Sequence, residues 1–335
     1  MELISKLSNL DLIIYLLVLI CYYFLAKSTS KRNKYILLFL FIILSFFLNF
    51  NIVNYKIRDF DTYVKVINLR GHNPIGFLDF FYEPYFLLLS KYLIKFISVS
   101  GIIEFYYFIL ILVSLLFFSW LSFLEEISLW KKYFLFNLFY LLFTFVLLRN
   151  GIAYMLIAVF FYYLSKGRFY YSFFSSILFH LTVFPILLFS FFRHKKINLY
   201  IIPFCLSLIL LFVFLFFDTN SVLYSKYQDF KINSLGYNNT IHYLVFVSSI
   251  TIFIFYYILY KNQLNNYFYV SLLFIYLILF YFNSVMGFRF SFYILLYLML
   301  NTKLLFSSRL ENILNSYSIL FIVFGFLTFK LFLYI

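Results

Sequence analysis

The sequence predicts an all-α, polytopic helical membrane protein with about 10–12 spanning or re-entrant helices, at roughly 20 apolar residues for each full crossing. Three observations carry this. The 335-residue chain is 65% hydrophobic, with a mean hydropathy of +0.99. Only 11% of its residues are charged, against about a quarter in soluble domains. The apolar residues come in long unbroken runs and not in strict alternation, which fits spanning helices and not a transmembrane β-barrel.

The net charge of +14 has no basic domain behind it. Lys and Arg sit in short clusters between apolar runs, as the positive-inside rule requires, so nucleic acid is not expected as a partner. Cys21 and Cys205 both lie inside apolar runs and suggest neither a disulfide framework nor a metal site. The first run has no small-residue cleavage site after it and is expected to be a retained helix.

The elements follow in order. The first span covers about 10–26, and the cluster Lys27, Lys31, Arg32 and Lys34 then marks the cytoplasmic side. A second span at about 35–53 leads to an outer loop and surface helix at about 55–98. In "EPYFLLLSKYLIKFI", Pro84 suits a first helical turn. Lys91 and Lys95 are expected on one face of that helix. Further spans are expected at about 101–123, 133–148 (ending at Arg149) and 151–164. A single crossing of 169–192 would put "RHKK" outside. Two half-helices folded back near His180–Thr182 keep it inside, so a re-entrant hairpin is preferred. Spans at about 199–217, 242–260, 267–285, 290–304 and 315–334 complete the chain, with an outer segment at about 218–241. No internal repeat is visible, and one integral membrane domain, 1–335, is expected.

Few polar residues are placed to do chemistry. Arg149 and Arg289 ("RNGIA" and "MGFRFSFY") both fall at outer turns, where arginine is the minority case. A guanidinium is a planar fork of donors suited to phosphate, and two could converge on one pyrophosphate. Simple snorkelling would also account for either. His180 lies in an apolar run; it suits proton transfer or a hydrogen bond to a substrate oxygen, or a structural role. No second His or Cys stands at ligand spacing, so zinc is not expected. The outer loop carries Arg58, Asp59, Asp61 and Tyr63 in "RDFDTY", and Glu83 heads the surface helix. Asp59 and Tyr63 are four apart and could share a helical face. These carboxylates could deprotonate or bind a sugar hydroxyl, or form local salt bridges.

Taken in order, these pieces resemble one family. "DFDTY" (Asp59–Tyr63), "EPYF" (Glu83, Pro84), "RNGIA" (Arg149–Ala153), "FH" (Phe179, His180) and "GFRFSFY" (Arg289) look like the motif series of the EpsG-type polysaccharide polymerases, relatives of the Wzy O-antigen polymerases. The resemblance spans about residues 55–295, and its pieces are specific by order and spacing. Tyr85 stands where members often have Gly, and Leu181 where a small polar residue often follows "FH".

The resemblance implies a GT-C-like membrane glycosyltransferase of the bacterial inner membrane, with its active site facing the periplasm or cell exterior. It implies no cofactor or metal. The partners it implies are an undecaprenyl-pyrophosphate-linked glycan donor and acceptor, membrane lipid and a chain-length regulator. Arg149 and Arg289 would bind the pyrophosphate. Asp59, Glu83 or His180 would act as base, and Arg58, Asp61, Tyr63 and Tyr85 would hold sugars, with Tyr82 a further stacking candidate. The rival classes are a transporter or flippase for lipid-linked sugars, which the scarcity of Gly and Pro disfavours, an O-antigen-type ligase, and a non-catalytic scaffold.

Overall fold

A computed structural model of the chain describes residues 9–53, 60–70, 84–148, 150–180, 183–194, 239–260, 272–273, 275–280, 284–304 and 306–334. Among these residues the fold is all-α, with no strand. In chain order the helices are α1 (Asn9–Lys27), α2 (Lys31–Val53), α3 (Phe60–Arg70), α4 (Pro84–Leu93), α5 (Val99–Phe123), α6 (Leu129–Leu141), α7 (Gly151–Ser165) and α8 (Val183–His194). They continue with α9 (Asn239–Tyr260), α10 (Ser284–Leu300), α11 (Ser308–Ser316) and α12 (Ile322–Tyr334). A π-helical segment, Leu142–Val146, extends α6, and 3₁₀ pieces lie at Tyr171–Leu178 and Ser318–Phe321. The chain forms two compact units: Met1–Val183 with Met299–Ile335, and Phe184–Leu298.

In the first unit α1 packs along α2, and both meet α5; α6 packs on α1 and α12. Among the described residues three helices are long and apolar enough to cross a bilayer: Leu10–Lys27, Lys31–Asn51 and Val99–Phe123. Large apolar residues on them point outward, with Leu17 46%, Phe47 62% and Leu116 70% exposed. A surface of that kind needs lipid as its solvent. Inside, Tyr22 stacks on Phe136 at 3.7 Å, and Phe118 meets the edge of Phe136 at 5.0 Å. Lipid tails are as apolar as these rings, so association rests on close packing and on polar contacts between helices. Gly325 supplies the closest approach: a Cβ there would meet Leu19 Cδ1 at 2.7 Å. Beside it Tyr15 OH donates to the Gly325 carbonyl at 3.1 Å. The Tyr140 hydroxyl lies beside Ser45 and Asn49 of α2.

The expected spans meet the structure unevenly. α1, α2, α5 and α7 match. α6 reaches the expected length of the fourth span only through its π-helical extension. The last expected span, about 315–334, is met by the 3₁₀ turn Ser318–Phe321 and α12, and the 57° bend from Ser308–Ser316 lies at its start. Among the described residues a 3₁₀ segment ends at Leu178 and α8 begins at Val183, on either side of the place where the hairpin break is expected. The expected span 199–217, the outer segment 218–241 and much of 267–285 lie outside the described residues.

Two placements correct the sequence reading. α4 begins at Pro84 as expected but ends at Leu93. Lys91 is buried, while Lys95 is exposed in the turn beyond the helix, so the two do not share a helical face. Arg289 is not in an outer turn: it sits in the second turn of α10.

In the second unit Phe246 of α9 stacks on Phe280 at 3.8 Å. Gly287 of α10 lies against the same residue, where a Cβ would come within 2.7 Å of Phe280 Cα.

Candidate functional site

The beginning of α5 organises the motif residues of the first unit. Ser98 caps the helix, its hydroxyl accepting from Gly101 N at 3.3 Å. Two turns in, Tyr106 OH donates to the Phe86 carbonyl at 2.7 Å and lies 3.2 Å from Ser90 Oγ. Ser90 Oγ in turn donates to the Phe86 carbonyl at 2.6 Å. These bonds hold α4 against α5. Tyr63 of α3 closes the packing, with its ring 5.5 Å from Phe86.

Tyr85 projects from the same turn of α4. Its ring meets Tyr106 edge-on at 5.4 Å and Phe179 at 4.7 Å. The "EPYF" and "FH" pieces, almost a hundred residues apart in the chain, are therefore in contact.

The start of α7 reaches the same face of α5. Leu110 lies one turn beyond Tyr106, about 6 Å along the axis. A Cβ at Gly151 would meet Leu110 Cδ1 at 2.8 Å and the Phe143 carbonyl at 3.3 Å. Glycine is what lets "RNGIA" open a helix in that position. Leu147 ends the π-helical segment, and its carbonyl accepts from Gly151 N at 2.6 Å. Such π segments often mark functional sites.

The 3₁₀ arm then returns along α7. Phe173 lies 5.4 Å from Phe160, and Tyr170 lies 5.2 Å from Tyr163. At about 2 Å per residue, Phe173 to Phe179 covers about 12 Å. Phe160 back to Gly151 covers about 13 Å. Phe179 and His180 thus come level with the start of α7. His180 is half-buried; its N–H donates to the Ser176 carbonyl at 3.2 Å, and its carbonyl accepts from Val183 N at 3.3 Å.

Two polar atoms in this region have no hydrogen-bond partner among the described residues: Tyr85 OH and Asn150 Oδ1. Asn150 is only 5% exposed and stands at the N-cap of α7 without making a cap bond. Burial pushes the Tyr85 hydroxyl up to about 12, so it stays a donor. An unsatisfied buried polar group costs about 1–3 kcal/mol, and each of these two atoms is open to a hydrogen-bonding partner.

The remaining candidates divide three ways. Arg58, Asp59, Tyr82, Glu83 and Arg149 lie outside the described residues. Asp61 is in the first turn of α3, with its side chain outside the described set. Tyr63 is 4% exposed and packed on Phe86, so it supports α4 and presents no open ring to a sugar. Arg289, half-buried, belongs to the second unit. Asn150 and Tyr106 were missed by the sequence reading. Asn150 was legible as the one polar residue beside Arg149 in "RNGIA"; Tyr106 had no signal in a chain that is 27% aromatic. No family model matches the chain, and no curated protein or solved structure matches it.

Proposed function

We propose that the chain is a polymerase of lipid-linked glycans, a GT-C-like membrane glycosyltransferase that works on undecaprenyl-pyrophosphate-linked repeat units at the outer face of the bacterial inner membrane. One observation carries this reading. Tyr85 of "EPYF" touches both Tyr106 of α5 and Phe179 of "FH", and Gly151 of "RNGIA" packs on Leu110 one turn further along α5. Separate loop motifs with no common purpose would have no reason to converge.

In this reading Arg149 and Arg289 bind the pyrophosphate of the donor. An acceptor sugar hydroxyl attacks the anomeric carbon of the donor glycan. The new C–O bond forms as the bond to the pyrophosphate breaks, and undecaprenyl pyrophosphate leaves with the electron pair. The hydroxyl proton passes to Asp59, Glu83 or His180. Preorganised cations on a leaving phosphate lower such a barrier by stabilising charge only as it develops. Tyr85 and Asn150 offer a donor and an acceptor to sugar hydroxyls.

The test is glycan length in a deletion strain of the native host. The wild-type chain restores a ladder of products. Arg149→Ala, Arg289→Ala and Asp59→Asn, each inserted at normal levels, restore only single repeat units. A single transfer by the wild type would identify a ligase instead. Normal ladders from all three variants would end this assignment.

A further inference from the structure

α11 (Ser308–Ser316) is built differently from the other helices of the first unit: none of its residues is buried, although the segment around it is firmly held. Ser165 Oγ lies 3.0 Å from Thr302 Oγ1 and accepts from Thr302 N at 3.3 Å. Lys131 Nζ donates to the Leu304 carbonyl. Glu311 accepts from Trp130 Nε1 at 2.8 Å and from Phe306 N at 3.0 Å, and Asn315 Oδ1 accepts from Trp130 N at 3.1 Å. The helix therefore meets α6 through its polar residues.

At about 100° per residue, Glu311 and Asn315 form the edge that faces α6. To one side lie Leu310, Ile313, Leu314 and Tyr317; to the other lie Ser308, Asn312, Ser316 and Arg309. Leu310, Ile313 and Tyr317 are 39%, 45% and 64% exposed. A helix that turns polar groups inward and leaves an apolar side open is inverted for water. It suits a bilayer boundary, with hydrocarbon on one side and water on the other. The apolar side runs on into exposed Leu320 and Phe324 beyond the 57° bend, so it continues the lipid-facing surface of the next helix. The surrounding charge is basic. Arg168, Lys303 and Arg309 stand exposed at the ends of α7, α10 and α11, whereas Lys34 and Lys132 are buried and Lys166 is paired with Glu126. Of the acidic residues there, Glu126 and Glu311 are already engaged by Lys166 and Trp130, and Glu125 is exposed.

We propose that α11 is an interfacial helix: its Leu310–Ile313–Leu314–Tyr317 side enters the hydrocarbon boundary of the bilayer, and Arg309 holds anionic lipid headgroups at its outer edge. The 57° bend turns the chain from the plane of the membrane into the crossing direction. Glu311 and Asn315 fix how deep the helix rides, through Trp130.

The full chain, carrying Cys21→Ala and Cys205→Ala, is labelled with a polarity-sensitive fluorophore at Ile313→Cys or, on the opposite side, at Asn312→Cys. Each is reconstituted in vesicles of phosphatidylcholine with phosphatidylglycerol. The Ile313 label is expected to shift to the blue and to be quenched by shallow doxyl-lipid more than by aqueous iodide, and the Asn312 label the reverse. Doxyl-phosphatidylglycerol quenches the Ile313 label more than doxyl-phosphatidylcholine does, and Arg309→Gln lowers that preference. Leu310→Cys gives the same readout if the Ile313 variant does not fold. Iodide quenching of Ile313 equal to that of Asn312 overturns the proposal. So does shielding from both quenchers that depends on the protein-to-lipid ratio, because a second copy would then cover the helix.

Discussion

The two ends of the first unit handle polar side chains in opposite ways. Where α5 finishes, they are mostly paired with one another. Lys166 and Tyr162 both donate to Glu126, at 2.6 and 2.7 Å, Trp130 to Glu311, and Lys131 to the Leu304 carbonyl, with the Ser128 and Tyr133 hydroxyls as exceptions. Where α5 begins, Tyr85 OH and Asn150 Oδ1 are left open among the described residues. The first end uses polarity to lock connecting segments in place. The second keeps unspent hydrogen-bonding capacity beside the motif residues, at a cost in stability that a bound substrate would offset.

The strongest way to break this comparison is Arg149→Ala. Losing one preorganised donor to a developing anion costs about 10²–10³-fold in rate, so polymer formation should fall by that order while the protein inserts normally; glycan gels and membrane yield measure both. Next comes Gly151→Ala. Its Cβ would press on Leu110 and on the Phe143 carbonyl, and overpacking of that kind costs about 1–3 kcal/mol. Thermal stability in detergent should drop, and activity with it.

Tyr85→Phe sharpens the comparison most directly. Removing an unsatisfied buried hydroxyl should leave the melting temperature unchanged or raised. If the hydroxyl meets substrate, activity still falls by about tenfold, the worth of one hydrogen bond of about 1.4 kcal/mol. Unchanged activity with raised stability would make Tyr85 purely structural.

Smaller effects belong to the paired end. Burial lowers the Lys131 ammonium from 10.5 to about 8. Between those values the unfolded chain binds the proton and the folded chain does not, so this residue makes stability rise with pH across about 8 to 10.5. Melting curves should show a shallower slope in Lys131→Met than in the wild type, because Lys132, lowered by burial over the same range, keeps its own share. Glu126 runs the other way. The hydrogen bond from Lys166, then that from Tyr162, lowers its carboxyl from 4.5 to about 2. Its contribution is present above the unfolded value of 4.5 and is lost as pH falls toward 2. Half-exposed, the pair is screened, so Glu126→Gln should change acid stability only slightly.

Much of the fold was legible because spanning helices are written in local composition. The runs that became α1, α2 and α5 needed no tertiary information, and Pro84 marked a helix start through its own backbone chemistry. The bend after Ser316 was not legible. Hydropathy starts the last span at about 315 and shows no helix before it, and the polar edge of α11 is decided by Trp130 of another helix. The burial of Lys91 escaped for a similar reason, since a lysine beyond an amphipathic stretch reads as a surface charge.

By itself, then, the sequence determined the solvent and the class of this protein: so few charges and such long apolar runs leave a helical bundle in lipid as the solution that satisfies every backbone amide. It also determined which polar residues were scarce enough to matter. Only the tertiary structure decided which of them meet. The contacts of Tyr85 with Phe179 and of Gly151 with Leu110 join residues distant in the chain, and such contacts depend on how side chains interlock across helices, which no local pattern encodes.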